Sequence, residues 1–513
     1  LYLVTAEEMR RLEEWAIHKA GLPGIVLMET AGRSVADEIA RRFPKPGKAV
    51  IISGKGNNGG DGWVVARYLM QRNWNVSCWL IGNPDQITPD AKVFYQLLIR
   101  LNQPVKRFDT THSGELAADL NGAAVIVDAL LGTGVKGPLR PMYQEIVDQI
   151  NRAQKWVVAV DLPTGVDTDG MYNEGNCVKA DVTVTFQYPK WGHFSRQGKK
   201  MSGELIVKDI GLPPIPDRKL EPSAKINDPS WWKDAWPARD EWSHKGSHGH
   251  LLLVGGGKGM LGAICMAGEA AYRMGAGYVT LTVPESERHA LAAKVTQELI
   301  WPWPGKEFFS VQSAGEFRQK ANRFTSVAIG PGLGRFAGED EWLKHLLTEI
   351  KVPLVLDADA LNILAAYPEL LSLCRKRKES TILTPHPGEM ARLTSLSVAE
   401  VEANRRETAR SFAEKTGMIV ILKGRHTLIA HPDGTLHLNH SGSPALAKAG
   451  SGDLLTGMIG SLLAQKVSPF KAACMAVYLH GKAGEMTGVH ACSVMYNNLL
   501  HGLQQTIDQE FVE

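Results

Sequence analysis

Short β-rich apolar runs separated by helix-length amphipathic stretches recur along almost the whole chain, and this alternation limits the fold more than any other feature. In the first half the runs lie at 49–53, 76–81, 124–127, 157–160 and 182–186. They are nearly continuous in Val, Ile and Ala, as strands are when helices cover both faces of a parallel sheet. Between Gly211 and Ser243 the texture changes. Pro213, Pro214, Pro216, Pro222, Pro229 and Pro237 interrupt any helix, and Trp231, Trp232, Trp236 and Trp242 cluster. This is read as a linker followed by tryptophans that pack the start of a second domain. The alternation then resumes at 250–254, 278–283, 327–329, 353–356, 381–383 and 419–422. Two α/β domains are expected, over 1–217 and 218–513, and the absence of shared motifs argues against an internal repeat. An N-terminal helix precedes the first strand: Thr5 and Glu8 have capping-box spacing, and Met9, Leu12, Trp15 and Ala16 mark one apolar face.

Length and charge fit this picture. A chain of 513 residues, 44% apolar and 22% charged, has room for two full cores. Its 57 basic and 54 acidic residues leave a net +3, too little for the electrostatic footprint of a general nucleic-acid binder. No apolar run approaches the roughly 18 residues of a membrane span. The six cysteines are scattered, without a CxxC pair or zinc-knuckle spacing, so a reducing cytoplasm is the expected setting.

The first strand runs into Gly54, Lys55, Gly56, Asn57, Asn58, Gly59, Gly60, Asp61 and Gly62, read as a glycine turn before a helix extending to about Met70. Such a turn lets backbone N–H groups approach a diphosphate. The polar Asn57, Asn58 and Asp61 within it suggest more than a phosphate cradle, and no acid ends a second strand at the spacing a hydride-transfer domain requires. Two further strand ends carry acids: Asp128, before Gly132, Thr133 and Gly134, and Asp161, before Pro163, Thr164 and Gly165. In a parallel sheet these ends border one crevice, and carboxylate, amide and hydroxyl oxygens without His or Cys suit a hard cation. The plain alternative for each Asp taken alone is that it caps the turn that follows it, a reading that three such loops together weaken.

In the second half, glycine-rich strand exits stand at 255–259 and 330–334. They are joined by Asp357 and Asp359, by His386 between Pro385 and Pro387, by Lys423, Gly424, Arg425, His426 and Thr427, and by Gly450, Ser451, Gly452 and Asp453. No Gly-Lys pair is followed by Ser or Thr, so no P-loop exists. The 450–453 turn, ahead of a helix from about Leu454, offers N–H groups for a phosphoryl group and a carboxylate beside them. A bare helix start and a structural histidine are the plain alternatives.

As an ordered set, these motifs resemble those of the bifunctional NAD(P)H-hydrate repair enzymes. The match rests on 57–62 and 161–165 in the first half, and on His244, Lys245 and Gly246 with 330–334, 357–362, 384–389 and 450–453 in the second. The resemblance implies a Rossmann-like three-layer epimerase domain followed by a ribokinase-like dehydratase domain. The substrates it implies are NADH or NADPH hydrated on the nicotinamide ring, with ADP as co-substrate, and a homo-oligomer with neither nucleic acid nor membrane as partner. It further implies epimerase substrate contacts at Asn57, Asn58, Gly59, Gly60, Asp61, Gly132, Thr133, Gly134, Val135, Lys136, Gly137, Pro138 and Asp161, with Asp161 as the acid/base group. Potassium would be held by Asn58, Asp128 and Thr164. In the second domain it implies hydrate contacts at Ala263, Gly332, His386 and Asp453, with Asp453 as the base. ADP, with Mg2+, would lie against Lys423, Gly424, Arg425, His426, Thr427 and Gly452. Departures are Thr164 where Ser is commoner, and a 492–498 segment lacking the family's Ala-Ser/Thr-Asp pattern. A small-alcohol or vitamin-precursor kinase and a cofactor-binding regulatory protein are the alternative readings.

Overall fold

A computed structural model of the chain describes residues 1–134, 137–170, 175–303, 308–311, 317 and 320–511. They form two compact units, Leu1–Ser223 and Ala224–Glu513. The expected division lay at 217/218. Among the described residues no helix is long and apolar enough to cross a membrane.

The first unit is built on strands β1 (Lys48–Ser53), β2 (Asn75–Leu80), β3 (Val105–Arg107), β4 (Val125–Ala129), β5 (Trp156–Val160), β6 (Val182–Phe186) and β7 (Glu204–Lys208). They lie in the order β3-β2-β1-β4-β5-β6-β7, every neighbour parallel. Alternate residues of one strand feed different cores: Ile51 packs with Val35, Ile39 and Trp63 on one face, while Val50 and Ile52 pack with Trp79 and Ile146 on the other. Both faces are thus buried, which is why the strands read as unbroken apolar runs. The order reverses between β1 and β4, and the crevice at such a switch point is where an open α/β sheet binds ligands. The half-exposed edge strands β3 and β7 were not expected from the sequence: β3 is three residues with two charges, whereas β7 carries the run Leu205, Ile206 and Val207.

The glycine segment departs from expectation. The helix begins at Asn57, so Asn57 to Gly62 form its opening turns and not a loop. Glycine makes this possible, because a β-carbon on Gly59 would lie 1.9 Å from the Gly54 carbonyl oxygen. The helix therefore seats directly on the strand exit and carries its polar side chains into the crevice.

The second unit contains β8 (Ala224–Ile226), β9 (His250–Val254), β10 (Tyr278–Thr282), β11 (Leu299–Ile300), β12 (Ser326–Ile329), β13 (Leu354–Leu356), β14 (Thr381–Leu383), β15 (Ile419–Leu422), β16 (Thr427–Ala430) and β17 (Leu436–Asn439). Their order is β8-β17-β16-β15-β14-β13-β12-β9-β10-β11. Pairing is parallel from β15 through β11, whereas β15, β16 and β17 form an antiparallel meander. Helix Ser451–Ala464, buried along nearly its whole length, belongs to the same core as helix Leu261–Arg273. It starts at Ser451, three residues before the expected Leu454, after Gly450 in the left-handed conformation at φ +92°. Asp453 accordingly sits in its first turn. Of the tryptophan cluster, Trp232 is fully buried and donates to Asn227, whereas Trp242 is 91% exposed and packs nothing.

Replacing Gly59 by Ala should cost the first unit at least about 2 kcal/mol, because backbone atoms must shift to admit the methyl group. Urea denaturation of the full chain reads this; an unchanged first transition would contradict the close approach.

Candidate active sites

In the first unit a cleft of about 730 Å³ opens at the carboxyl ends of β1, β4 and β5. Asn57, Asn58, Asp61, Gly132, Thr133, Gly134, Gly137, Pro138 and Asp161 line it. Gly59 and Gly60 are buried within the helix, against Gly54 and Met28. Val135 and Lys136 lie outside the described residues. Asn57 is fixed by the Thr88 hydroxyl, which donates to its side-chain oxygen at 2.7 Å.

Asp161 is held in a left-handed backbone conformation at φ +63°, which is costly for a non-glycine residue and persists only where surrounding contacts impose it. Those contacts are present. Lys190, 1% exposed, donates from Nζ to Asp161 Oδ1 at 2.5 Å, to Thr185 Oγ1 at 3.1 Å and to the Phe186 carbonyl at 3.1 Å. The Thr185 hydroxyl donates to the same carboxylate oxygen at 2.8 Å. Behind them the His193 ring accepts from the Lys190 N–H through Nδ1, leaving Nε2 as donor to the Asp161 carbonyl at 2.8 Å. Burial pushes His193 down to about 4, and Lys190 adds to the shift, so the ring is neutral at pH 7. Burial alone would raise the Asp161 carboxyl, but the charge and hydrogen bond of Lys190 outweigh it and hold the group below the usual value. Asp61 goes the other way: burial, with Asp161 and Glu13 nearby, lifts it well above the carboxylate range.

Asp128 and Thr164 lie beneath the cleft, fully buried. The Thr164 N–H and hydroxyl donate to the Asp128 carboxylate at 2.8 and 2.7 Å, and the Leu131 N–H donates to Thr164 Oγ1 at 3.1 Å. Burial pushes the Asp128 carboxyl up to about 6, against those hydrogen bonds. The next residue, Gly132, has its Cα against the Asn58 side chain, whose buried Nδ2 lacks a hydrogen-bond partner among the described residues. Among the described residues the Asp128 carboxylate has no counter-charge, and with the Thr164 hydroxyl it offers hard oxygen donors of the kind a monovalent cation takes, whereas the unpartnered Asn58 Nδ2 is a hydrogen-bond donor and ligates none.

In the second unit, strand exits bring the remaining motifs together. Gly332, at φ +58°, has its Cα against the β-carbon of Ala263. Lys423 Nζ, at the end of β15, donates to Asp357 Oδ1 at 2.8 Å and lies 3.9 Å from Glu389. The Thr456 hydroxyl holds the other Asp357 oxygen at 2.7 Å. A β-carbon at Gly452 would lie 3.4 Å from Lys423 Nζ, so the start of helix Ser451–Ala464 abuts this ion pair. The Lys423 side chain is thus turned inward and its charge already compensated. Gly424, Arg425, His426 and Thr427 continue the β15–β16 hairpin turn, which Arg405 secures by donating to the carbonyls of Leu422, Lys423 and His426. His386 caps helix Pro387–Thr394, its Nδ1 accepting from the Gly388 and Glu389 N–H groups, while half of the side chain stays exposed.

The carboxyls here also diverge. Burial would raise Asp357, but Lys423 holds it below its ordinary value. Burial, together with Asp357, pushes Asp453 up to about 7 despite Lys423. Glu389 is likewise pushed up to about 7, chiefly by burial. Groups separated in this way can divide acid and base roles.

Sequence reasoning missed Lys190, Thr185, His193 and Glu13 in the first unit, and Thr456, Arg405 and His480 in the second; His480 Nε2 lies 3.0 Å from the Ser451 hydroxyl. Lys190 had a usable signal, since it follows the end of β6 by four residues on the same edge of the sheet as Asp161. Arg405 and Thr456 sit inside helices and had none.

A family model described as NAD(P)H-hydrate dehydratase matches residues 251–505, and one described as YjeF-related protein N-terminus matches residues 24–192. The bifunctional NAD(P)H-hydrate repair enzyme Nnr of Moorella thermoacetica is 38% identical over 495 residues, covering 94% of this chain and 92% of the relative. The enzyme of the same name from Escherichia coli is 32% identical over 517 residues, covering 99% and 94%. Among solved structures, the ADP/ATP-dependent NAD(P)H-hydrate dehydratase of Bacillus subtilis, co-crystallized with ATP/Mg2+, is 31% identical with a TM-score of 0.48, covering 56% of this chain and 98% of that one.

Replacing Lys190 by Met leaves Asp161 buried without its counter-charge and should destabilise the first unit by about 3–5 kcal/mol at pH 7. The deficit should shrink as pH falls through the carboxylate range, because protonation removes the uncompensated charge. Urea titrations of both proteins at several pH values check this; equal stability throughout would contradict it.

Proposed function

The chain belongs to the family of bifunctional NAD(P)H-hydrate repair enzymes, and on that premise we propose how its two sites divide the work. The protein interconverts the R and S forms of hydrated NADH or NADPH and dehydrates the S form to the working cofactor at the expense of ADP, giving AMP and phosphate. We assign epimerisation to the cleft holding Asp161 and dehydration to the site around Asp453.

Hydroxide leaves carbon poorly, so dehydration needs the hydroxyl converted into a phosphate ester. Asp453 is proposed to take the proton from that hydroxyl as the oxygen attacks the terminal phosphoryl group of ADP. Phosphate then departs, assisted by the lone pair of the ring nitrogen, and the adjacent ring carbon loses a proton to the departing phosphate or to water, which restores the ring double bond. The first-turn amides of helix Ser451–Ala464 have no carbonyl of their own helix to bond and would stabilise the transferring group. Ala263, Gly332 and His386 are proposed to hold the hydrate, and the hairpin turn from Lys423 to Thr427, with Gly452, the nucleotide. Among the described residues no group of three or more His, Cys, Asp or Glu could hold a metal ion. Mg2+, held on the nucleotide phosphates, would neutralise their charge.

In the first site Asn57, Asn58, Asp61 and the loop after β4 are proposed to bind the hydrate and Asp161 to move its hydroxyl proton. Asn58, Asp128 and Thr164 would hold potassium, which when bound supplies the positive charge that the Asp128 carboxylate lacks. A cytoplasmic homo-oligomer is part of the same proposal.

The single observation that carries the dehydration reading is Asp453 in the first turn of a buried helix, beside the Lys423–Asp357 pair. Asp453→Asn should lower dehydration of the S form by at least about 10²-fold and leave epimerisation unchanged. In the parent protein the rate should rise with pH through about 7, as Asp453 ionises. Lys423→Met should move that midpoint upward, since Lys423 favours the ionised form. Separate assays of each activity from single epimers decide this; loss of both activities in Asp453→Asn, or a flat pH profile, would contradict it.

A further inference from the structure

Helix Ala6–His18 turns its buried stripe of Met9, Leu12 and Ala16 inward. Glu13 falls on that same stripe, four residues after Met9 and three before Ala16, whereas its neighbour Glu14 points outward and pairs with Arg10. A carboxyl on the apolar side of an amphipathic helix costs desolvation energy unless it is paired. Yet Glu13 makes no hydrogen bond or ion pair among the described residues. It lines the first-unit cleft with Ile17, Leu27 and Met28 as apolar neighbours, and with Asp61, Asp161 and Lys190 as the polar ones.

The groups facing it explain its state. From helix Asn57–Gln71 comes Asp61, from the end of β5 comes Asp161, and after β6 comes Lys190. Lys190 is committed to Asp161, Thr185 and Phe186 and does not bond Glu13. Among the described residues, the remaining charged groups lining the cleft are Lys55, bonded to Gln86, with Asp90 and Arg140. Three inner carboxyls thus share one ammonium, and that ammonium belongs to Asp161. Burial, with Asp161 and Glu14 adding to it, pushes Glu13 up to about 7 although Lys190 opposes the shift. Asp161 is therefore the ionised carboxyl of the set, and Glu13 exchanges its proton near neutral pH.

Epimerisation at a carbon bearing both a hydroxyl and the ring nitrogen needs those two states together. We propose that Glu13 is the second proton-transfer residue of the epimerisation, a catalytic acid working with Asp161 as base; this rests on reading the first unit as the epimerising one. In the forward step Asp161 takes the hydroxyl proton and the carbon–oxygen bond becomes a carbonyl. The carbon–nitrogen bond breaks, and its electron pair stays on nitrogen, which takes the proton of Glu13. Rotation presents the other face of the carbonyl. Nitrogen then attacks as its proton returns to Glu13, and Asp161 returns its proton to the oxygen. Both carboxyls end as they began, and neither oxidant nor co-reactant is required.

The test uses the full chain and single epimers of hydrated NADH, with dehydration of the S form as an internal control. Glu13→Gln should lower the kcat of epimerisation by about 10²-fold or more, with KM changed less than about threefold and dehydration unaltered. The alkaline limb of the kcat–pH profile, assigned to deprotonation of Glu13, should vanish in Glu13→Gln and reappear in Glu13→Asp along with part of the rate. Thermal unfolding separates loss of fold from loss of chemistry. If Glu13→Gln is not folded, Glu13→Asp alone decides through a displaced alkaline limb. A folded Glu13→Gln protein epimerising within twofold of the parent, or keeping the alkaline limb, would overturn the proposal. A parent protein that does not epimerise at all would instead overturn the reading on which it rests.

Discussion

Each unit buries several carboxyls around a single lysine, and the pairing of that lysine decides what every other group in the site can do. In the first unit Lys190 is bound to Asp161, and Asp61 and Glu13 are left without a cation of their own. In the second Lys423 is bound to Asp357, and Asp453 and Glu389 are left near neutrality. Were either lysine free in solvent, its partner would lose the stabilisation that keeps it ionised, and the spread between acid and base would close.

The parallel sheets make such crowding possible. Strands buried on both faces end together at one edge, where backbone N–H groups and the first turns of helices add to the polarity of the carboxyls and lysines gathered there. Glycines at the strand exits bring those turns close. Without the approach of Gly59 to Gly54, Asn57, Asn58 and Asp61 would stand in a loop instead of on a rigid helix over the cleft. The near-neutral total charge is compatible with anionic substrates for the same reason, since local N–H groups and compensated lysines act over a few ångströms and net charge does not.

Much of this was legible in the sequence. The central parallel strands were readable because double-sided burial writes itself as unbroken Val, Ile and Leu, whereas the antiparallel β16 and β17, inside the second sheet, were not among the runs expected. Asp128, Asp161, Asp357 and Asp453 were readable because they close strands or open helices. Of the edge strands, β3 is short and charged, whereas β7 had a usable run in Leu205, Ile206 and Val207. The helix starting at Asn57 was read as a turn because three glycines in six residues oppose helix by propensity, and tertiary contact overrides that preference. Glu13 escaped because it is a single charged residue on an otherwise ordinary amphipathic helix, and Lys190 because its one signal, its place just past the end of β6, does not say which carboxyl it meets. Only the assembled cleft reveals that one is bound to Asp161 and the other unpaired.

The central claim is that one chain carries two sites whose reactions run in sequence, and it is tested most directly by the extent of repair. The full chain would be given an equilibrium mixture of R and S hydrated NADH with ADP, and recovery of reduced-nicotinamide absorbance followed until it stops, against spontaneous epimerisation without protein. The account predicts rapid, complete recovery of both epimers with AMP and phosphate formed in equal amount. Recovery that halts at the S fraction, or none with either ADP or ATP, would contradict it.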